Sequence, residues 1–196
     1  MHTTAGLRER KKAATRRAVH EATLRLSVEH GIDNVTVEAI ADAVGISRRT
    51  FSNYFSDKED ALLFGDHVHS RTLLAALRER PADESAWTAL RGAVTEVYAQ
   101  GDHTVRDRDW VLRSRLALRH PSLLARQLAQ RVTLEREVAE AITGRPGTAD
   151  VRPDIIAASF LTALRLATAA WLRDEDPGDF GTVITAYLDQ VARPFA

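Results

Sequence analysis

Apolar residues recur at intervals of three and four along almost the whole chain, which is the spacing of one face of an α-helix. Strand-like alternation, internal repeats and low-complexity segments do not stand out. The long helices that this pattern predicts cover residues 7–30, 56–80, 84–100, 105–120, 122–142, 153–173 and 180–193. The sequence therefore predicts an all-α protein.

Two short helices joined by a tight turn are predicted between residues 35 and 55. Thr36 is a favourable N-cap for the first helix, and Gly45 suits the left-handed conformation that ends it. Ser47 is then the N-cap of the second helix. Two helices that meet across such a turn form a helix-turn-helix.

The second of these short helices has one apolar and one polar face. Phe51 and Phe55 are four residues apart and are predicted to be buried together. The opposite face carries arginine, hydroxyl and amide side chains, namely those of Arg48, Arg49, Thr50, Ser52 and Asn53. Such side chains can read base edges in a DNA major groove, so this helix is a candidate recognition helix. The alternative is that they are only the solvated side of a surface helix.

The ordered set of residues around this turn resembles the tetracycline-repressor (TetR) family of transcriptional regulators. The resemblance covers residues 15–62. It rests on Gly31, the Thr-Val-x-x-Ile-Ala of residues 36–41, the Val-Gly-Ile-Ser of residues 44–47, Thr50, the pair Tyr54 and Phe55, and the pair Lys58 and Glu59. It implies a homodimeric regulator, most often a repressor, in which a small-molecule effector controls binding to a palindromic operator.

The residues expected to contact double-stranded DNA lie in the basic amino end and in the helix-turn-helix. Residues 1–20 hold six Lys or Arg against one acidic residue, although the whole chain has 27 basic and 27 acidic residues. A basic end of this kind is suited to phosphates. By resemblance, Thr36, Tyr54 and Lys58 also hold phosphates. The full set of predicted contacts is Lys11, Lys12, Thr36, Ser47, Arg48, Arg49, Thr50, Ser52, Asn53, Tyr54 and Lys58.

The chain of 196 residues is long enough for two small domains that share a helix. The resemblance implies a helix-turn-helix domain of residues 1–57 and a helical effector-binding and dimerisation domain of residues 58–196. The helix predicted at residues 56–80 links them. Its start is marked by an S-x-x-E capping box of Ser56 and Glu59, and its end by Pro81.

Aromatic residues on several helices of the second domain are candidates for the lining of an effector pocket, although they could all be core residues. The candidates are Phe64, His67, Val68, Arg71, Trp87, Tyr98, Trp110, Arg113, Phe160, Arg165 and Trp171. Arg165 lies in the middle of an apolar helix and needs a partner, which is either a carboxylate across a dimer interface or an anionic group of a ligand. Residues 113–121 look like those of actinobacterial mycofactocin-type regulators. That similarity implies an acyl-CoA or another lipid-like anion as effector, with a drug or antibiotic intermediate as the rival.

The last two predicted helices are apolar on more than one side and therefore need more than one neighbour. The resemblance implies that they pair with their copies in a second subunit as a four-helix bundle. The residues predicted at that interface are Ala158, Thr162, Ala169, Phe180, Ile184, Tyr187, Leu188 and Val191. The alternative is that these helices only close the core of one protomer.

Several classes of protein have no support in the sequence. The chain has no cysteine, which excludes disulfides and thiolate metal sites. His67 and His69 are two residues apart, so a helix would point them to different faces rather than towards one metal ion. Catalytic and nucleotide-binding motifs such as G-x-S-x-G and G-x-x-x-x-G-K are missing, and we predict neither an enzyme nor a cofactor. A helical carrier or enzyme that keeps a helix-turn-helix only as a fold element is the alternative.

The expected location is the cytoplasm. The first residues, MHTTAGLRERKK, lack the apolar segment that a signal peptide requires. The most apolar predicted helix contains Arg165 and several hydroxyl side chains, which favours a helix of a soluble bundle over a membrane span. A membrane is therefore not among the expected partners.

Overall fold

The computed structural model describes residues 3–99, 112–113, 116, 119–174 and 178–192. Within these residues the secondary structure is helical and includes no strand, so the predicted all-α class is confirmed. The helices are α1 (Thr3–His30), α2 (Val37–Val44), α3 (Arg48–Ser52), α4 (Lys58–Glu79), α5 (Ala86–Ala99), α6 (Pro121–Ile142), α7 (Pro153–Trp171) and α8 (Phe180–Val191). A short 3-10 turn, Ile32–Asn34, follows α1.

The chain divides into two compact units. The first comprises residues 1–68 and 107–127, and the second comprises residues 69–106 and 128–196. Helices α4 and α6 each contribute residues to both units as continuous helices. The first unit is therefore built from two separate parts of the chain.

The first unit has a core formed where α1 packs against α2 and the 3-10 turn, and α2 against α3. One cluster of buried residues is Val19, Ala22, Val35, Ile40, Ala41, Phe51, Phe55 and Ala61. A second cluster joins Leu24, Ile32, Leu62 and Leu63 to Leu123 at the start of α6, with Leu112 and Leu116 packed against it. The segment that precedes α6 thus completes the hydrophobic core of this unit.

The second unit is organised around α7, which packs along α8 and also contacts α5. By length and composition α7 could cross a membrane, a test that core helices of soluble proteins also pass. Its buried face includes Phe160, Ala163 and Ala167, as the predicted bundle helix requires. In the loop that precedes α7, Arg145 donates hydrogen bonds to the carbonyl oxygens of Leu77, Arg80 and Pro81 and so caps the carboxyl end of α4.

The amino end of α4 is capped one residue later than the sequence pattern indicated. The Asp57 carboxylate accepts the amide hydrogen of Asp60 at 2.8 Å, and the Asp60 carboxylate accepts the amide hydrogen of Ser56 at 3.0 Å. The predicted capping box of Ser56 and Glu59 is therefore wrong. The capping carboxylate of Asp57 also accepts a hydrogen bond from Arg126, at 2.6 Å.

The Asp57 cap makes the stability of the first unit depend on pH. Partial burial raises the pKa of Asp57, but the hydrogen bonds from Asp60 and Arg126 outweigh it and leave the pKa below its usual value. Asp57 therefore stabilises the folded state above the ordinary pKa of an aspartate. This contribution is lost as the pH falls through the lowered pKa.

Candidate DNA-binding and effector-binding sites

The turn between α2 and α3 is fixed by the capping groups expected from the sequence. The Thr36 hydroxyl accepts the amide hydrogen of Ala39 at 3.1 Å, and the Ser47 hydroxyl accepts that of Thr50 at 3.1 Å. Between them, Gly45 has a φ of 70° and ends α2 in the left-handed conformation. All three predicted capping positions are confirmed.

The orientation of α3 is fixed by two buried phenylalanines. Phe51 and Phe55 are almost fully buried, with ring centroids 5.8 Å apart. Phe64 from α4 packs edge-on against Phe55 at 5.5 Å. These aromatic contacts pack α3 and the residues after it against the beginning of α4.

The opposite side of α3 faces solvent. Arg48, Arg49, Ser52 and Asn53 are exposed, whereas Thr50 is half-buried and shares a 2.8 Å hydrogen bond with the Ser47 hydroxyl. Arg48 forms an ion pair with Glu38 of α2 at 2.7 Å. The helix-turn-helix therefore presents Arg49 with no ion pair among the described residues, whereas one guanidinium nitrogen of Arg48 is already engaged by Glu38.

The candidate phosphate contacts lie in different surroundings. Lys11 and Lys12 are exposed on α1, and Tyr54 is half-buried against the first-unit core. Lys58 differs from the expectation. Its ammonium donates to the carbonyl oxygens of Ile32 at 2.7 Å and Val35 at 2.9 Å.

We therefore expect Lys58→Met to destabilise the fold by about 1–2 kcal/mol, since two charge-assisted hydrogen bonds to backbone carbonyls are lost. Urea unfolding measures this change. The exposed Lys12→Met variant is the matched control and should unfold like the wild type. Equal unfolding midpoints for all three proteins would return Lys58 to its predicted role as a phosphate contact.

Arg113, predicted to contact the effector, is part of a buried polar cluster in the first unit. Its guanidinium binds the Asp66 carboxylate, with Nε at 2.9 Å and Nη2 at 2.8 Å. The Gln127 amide donates to the other carboxylate oxygen at 3.1 Å. A Cβ on Gly65 would lie 2.5 Å from the guanidinium, so the glycine makes room for this cluster. Asp66 supplies the counter-charge that a buried arginine requires, and the predicted ligand contact of Arg113 stays a prediction.

The other candidate effector residues lie in several places. Phe64 packs in the first-unit core, whereas His67, Val68 and Arg71 on α4 are exposed. Trp110 lies outside the described residues.

In the second unit, the aromatic candidates form two groups. Trp87 packs edge-on against Phe160 and lines an open groove of about 640 Å³ along α5. Its indole Nε1 is buried without an acceptor among the described residues. Tyr98 contacts Phe180, which contacts Trp171, and the Tyr98 hydroxyl is 2.9 Å from a ring nitrogen of His69.

The predicted dimer residues divide into an outer and an inner set. Ala158, Thr162 and Ala169 lie on the outer face of α7, together with the exposed Ile155 and Leu166.

By contrast, Phe180, Ile184 and Leu188 are buried inside the protomer. Their placement at an interface is therefore corrected: these three side chains form the core that α8 shares with its neighbours. Tyr187 and Val191 are half-buried at its edge.

Sequence reasoning missed several residues that matter for these sites. Glu38 holds Arg48, and Asp66 holds Arg113. Arg131 of α6 donates to Thr162 beside Arg165. Asp66 and Arg113 are 47 residues apart in the sequence, and Arg131 and Thr162 are 31 residues apart. Local periodicity therefore cannot predict either contact.

Two family models match the chain. Residues 20–63 match the model of bacterial regulatory proteins of the tetR family, and residues 84–196 match the MftR C-terminal domain. The transcriptional regulator TcmR of Streptomyces glaucescens is 35% identical over 173 residues, which are 85% of this chain and 76% of that protein. A protein of Mycobacterium tuberculosis described as a mycofactocin biosynthesis transcriptional regulator, MftR, is 29% identical over 85% of this chain and 84% of its own.

Solved structures share the fold at low sequence identity. The SmeT–triclosan complex has a TM-score of 0.63 and 18% identity, covering 91% of this chain and 90% of that one. FadR of Thermus thermophilus, a TetR-family repressor in complex with lauroyl-CoA, has a TM-score of 0.58 and 21% identity, covering 92% and 95%.

Proposed function

Because the chain belongs to the TetR family of bacterial transcriptional regulators and carries an MftR-type C-terminal domain, we propose that it is a homodimeric, cytoplasmic repressor that a small effector releases from a palindromic operator. Its relatives are regulators, and the chain is a DNA-binding regulator and not an enzyme.

The observation that carries the proposal is the geometry of α3. Its buried side is locked by Phe51 and Phe55, and its outer side offers Arg49, Ser52 and Asn53 to solvent. A rigidly held helix with hydrogen-bonding side chains on its outer side can enter a major groove and contact base edges. The exposed lysines of α1 supply charge that can hold the backbone phosphates.

Replacing Arg49 with Ala should lower discrimination at one base position by about 1–3 kcal/mol, because arginine can bind guanine O6 and N7 at once. Lys12→Ala should instead weaken binding to all sequences alike and reduce its salt dependence. Binding to the operator and to single-base variants, measured at several salt concentrations, separates the two. A uniform loss for Arg49→Ala would make it a positioning residue.

The proposed effector control runs through α4. This helix is continuous from Lys58 to Glu79, begins beside α3 and extends into the second unit. In a dimer the two recognition helices must lie about 34–36 Å apart to enter successive major grooves, so a small tilt of α4 spoils the fit. An effector that prefers the incompetent spacing would then weaken DNA binding by about 5- to 150-fold.

The expected effector is apolar or amphipathic. The second unit offers aromatic surface at Trp87 and Tyr98, and the Trp87 indole N–H has no acceptor in the described part of the chain. Related folds hold triclosan in SmeT and lauroyl-CoA in FadR. Triclosan is largely apolar, and lauroyl-CoA joins an apolar acyl chain to a polar, charged coenzyme A, so each ligand has an apolar part that suits such a surface.

Sequencing the genomic fragments that the purified protein retains tests the proposal directly. We expect the fragments to share a palindrome and the affinity to fall steeply with salt. Retention without a common sequence, or an affinity insensitive to salt, would contradict sequence-specific regulation.

A further inference from the structure

A carboxylate of α2 lies against the first arginine of the candidate recognition helix. Glu38 Oε1 is 2.7 Å from Nη1 of Arg48, and the pair joins the first turn of α2 to the first residue of α3. Both helices are held by buried side chains, α2 by Ile40 and Ala41 and α3 by Phe51. The two charged groups therefore extend from backbones whose relative position is fixed by the core of the first unit.

The effect of this ion pair is on the arginine rather than on the stability of the fold. The Arg48 side chain is 73% exposed and the Glu38 side chain 53% exposed, and water screens a pair of this kind so that it stabilises the protein little. An arginine side chain has many rotamers, however, and an ion pair restricts them. Glu38 therefore holds Arg48 in place before DNA binds, and such preorganisation raises the affinity for a partner that fits.

The ion pair leaves Arg48 able to contact a base. The guanidinium carries five N–H donors, and Glu38 approaches it at Nη1, so donors on the other nitrogens remain for O6 and N7 of a guanine. When a major groove covers the pair and removes water, the attraction between the two charges becomes stronger. A phosphate, by contrast, is repelled by the carboxylate. The pair therefore favours a base edge over the DNA backbone.

We propose that Glu38 is a specificity-determining residue of this regulator. It positions the Arg48 guanidinium for one guanine in each half of the operator and keeps that guanidinium away from the backbone phosphates. Arg48 contacts the base, whereas Glu38 acts through Arg48 and is a positioning residue. This deepens the proposed function, on which it rests, by assigning one base contact to a pair of residues on two helices.

Selection of binding sequences from a randomised pool of duplex DNA, with the full-length protein, tests the assignment. The wild type should select a palindrome, and Arg48→Ala should lose the preference for one G·C pair in each half by about 5- to 150-fold. Glu38→Gln should weaken the preference at the same pair about two- to tenfold, the range expected when a restrained side chain is released. Each preference is a ratio of two affinities of one preparation, so a partly unfolded variant still reports it.

The dependence on salt separates positioning from a structural role. In Glu38→Gln the Arg48 guanidinium is released to a phosphate, so binding to a duplex without the palindrome should become tighter. The slope of log affinity against log salt should steepen by about one. Loss of a structural contact would instead weaken binding to every duplex. The steeper slope should disappear when Glu38→Gln is combined with Arg48→Ala.

Two matched variants control for charge and for the neighbouring arginine. Asp42→Asn removes an exposed carboxylate one turn further along the same face of α2, and it should leave all base preferences unchanged. In an Arg49→Ala background, Glu38→Gln should still weaken the preference for the same G·C pair.

Three results would overturn the inference. One is an unchanged preference at every base position in Glu38→Gln, which would leave an ordinary exposed ion pair. Another is a loss of preference from Glu38→Gln that persists in the Arg48→Ala background, which would place Glu38 itself on the DNA. The third is weaker binding to all duplexes with an unchanged salt slope, which would make the role structural. A wild type that selects no common sequence would contradict the proposed function, and this inference with it.

Discussion

Replacing Arg113 with Met should destabilise the protein by about 3 kcal/mol, because it leaves the Asp66 carboxylate without its cation. The Arg113 side chain is only 6% exposed, but the Asp66 side chain is 25% exposed and so keeps some contact with water. We therefore expect a loss near the lower end of the range for breaking a buried ion pair. Chemical unfolding measures the loss. Operator binding should fall with the folded fraction.

The partner substitution and a matched control make this result specific. Asp66→Asn should also destabilise, whereas the double variant should cost less than the sum of the two single variants, since no charge then remains unpaired. Arg119→Met, an exposed arginine of the same segment, should change little. If Arg113→Met left the unfolding midpoint unchanged and altered only the effector response, Arg113 would belong to a ligand site after all.

Leu166→Glu should convert the dimer into folded monomers and weaken operator binding about 100- to 10,000-fold, the usual gain from joining two binding modules. Leu166 is 40% exposed on α7, so a charge there would act at the proposed subunit interface without entering the protomer core. Sedimentation and circular dichroism together distinguish this result from unfolding.

Leu188→Glu provides the contrast. Leu188 is 2% exposed inside the protomer, so a carboxylate at this position should unfold the second unit rather than yield monomers. Val151→Glu, at an exposed apolar position in the loop before α7, should leave both the fold and the dimer intact. A Leu166→Glu protein that still sedimented as a dimer would place the interface elsewhere.

Local signals in the sequence predicted the helix-turn-helix well. Thr36, Gly45 and Ser47 each act on groups within five residues of themselves, so a short window contains all that determines them. The burial of Phe51 and Phe55 follows from their spacing on one helix face. Whether Arg49 contacts DNA is a separate matter that stays a prediction.

Contacts between distant residues could not be predicted in this way. An arginine looks the same in sequence whether it faces a ligand or, like Arg113, an aspartate 47 residues away. The same holds for apolar residues. Periodicity predicted that Ile184 and Leu188 are covered, but it could not decide between the protomer's own helices and those of a partner.

The discontinuity of the first unit has a consequence for how the protein is synthesised. Arg113 and Leu123 complete the surroundings of Asp66 and of the leucines of α4, yet they follow the helix-turn-helix by some sixty to seventy residues. A nascent chain generally folds its domains as they emerge from the ribosome. Here the DNA-binding unit cannot be completed until residue 127 has emerged. Chains that stop earlier should therefore be degraded rather than compete with the finished regulator for DNA.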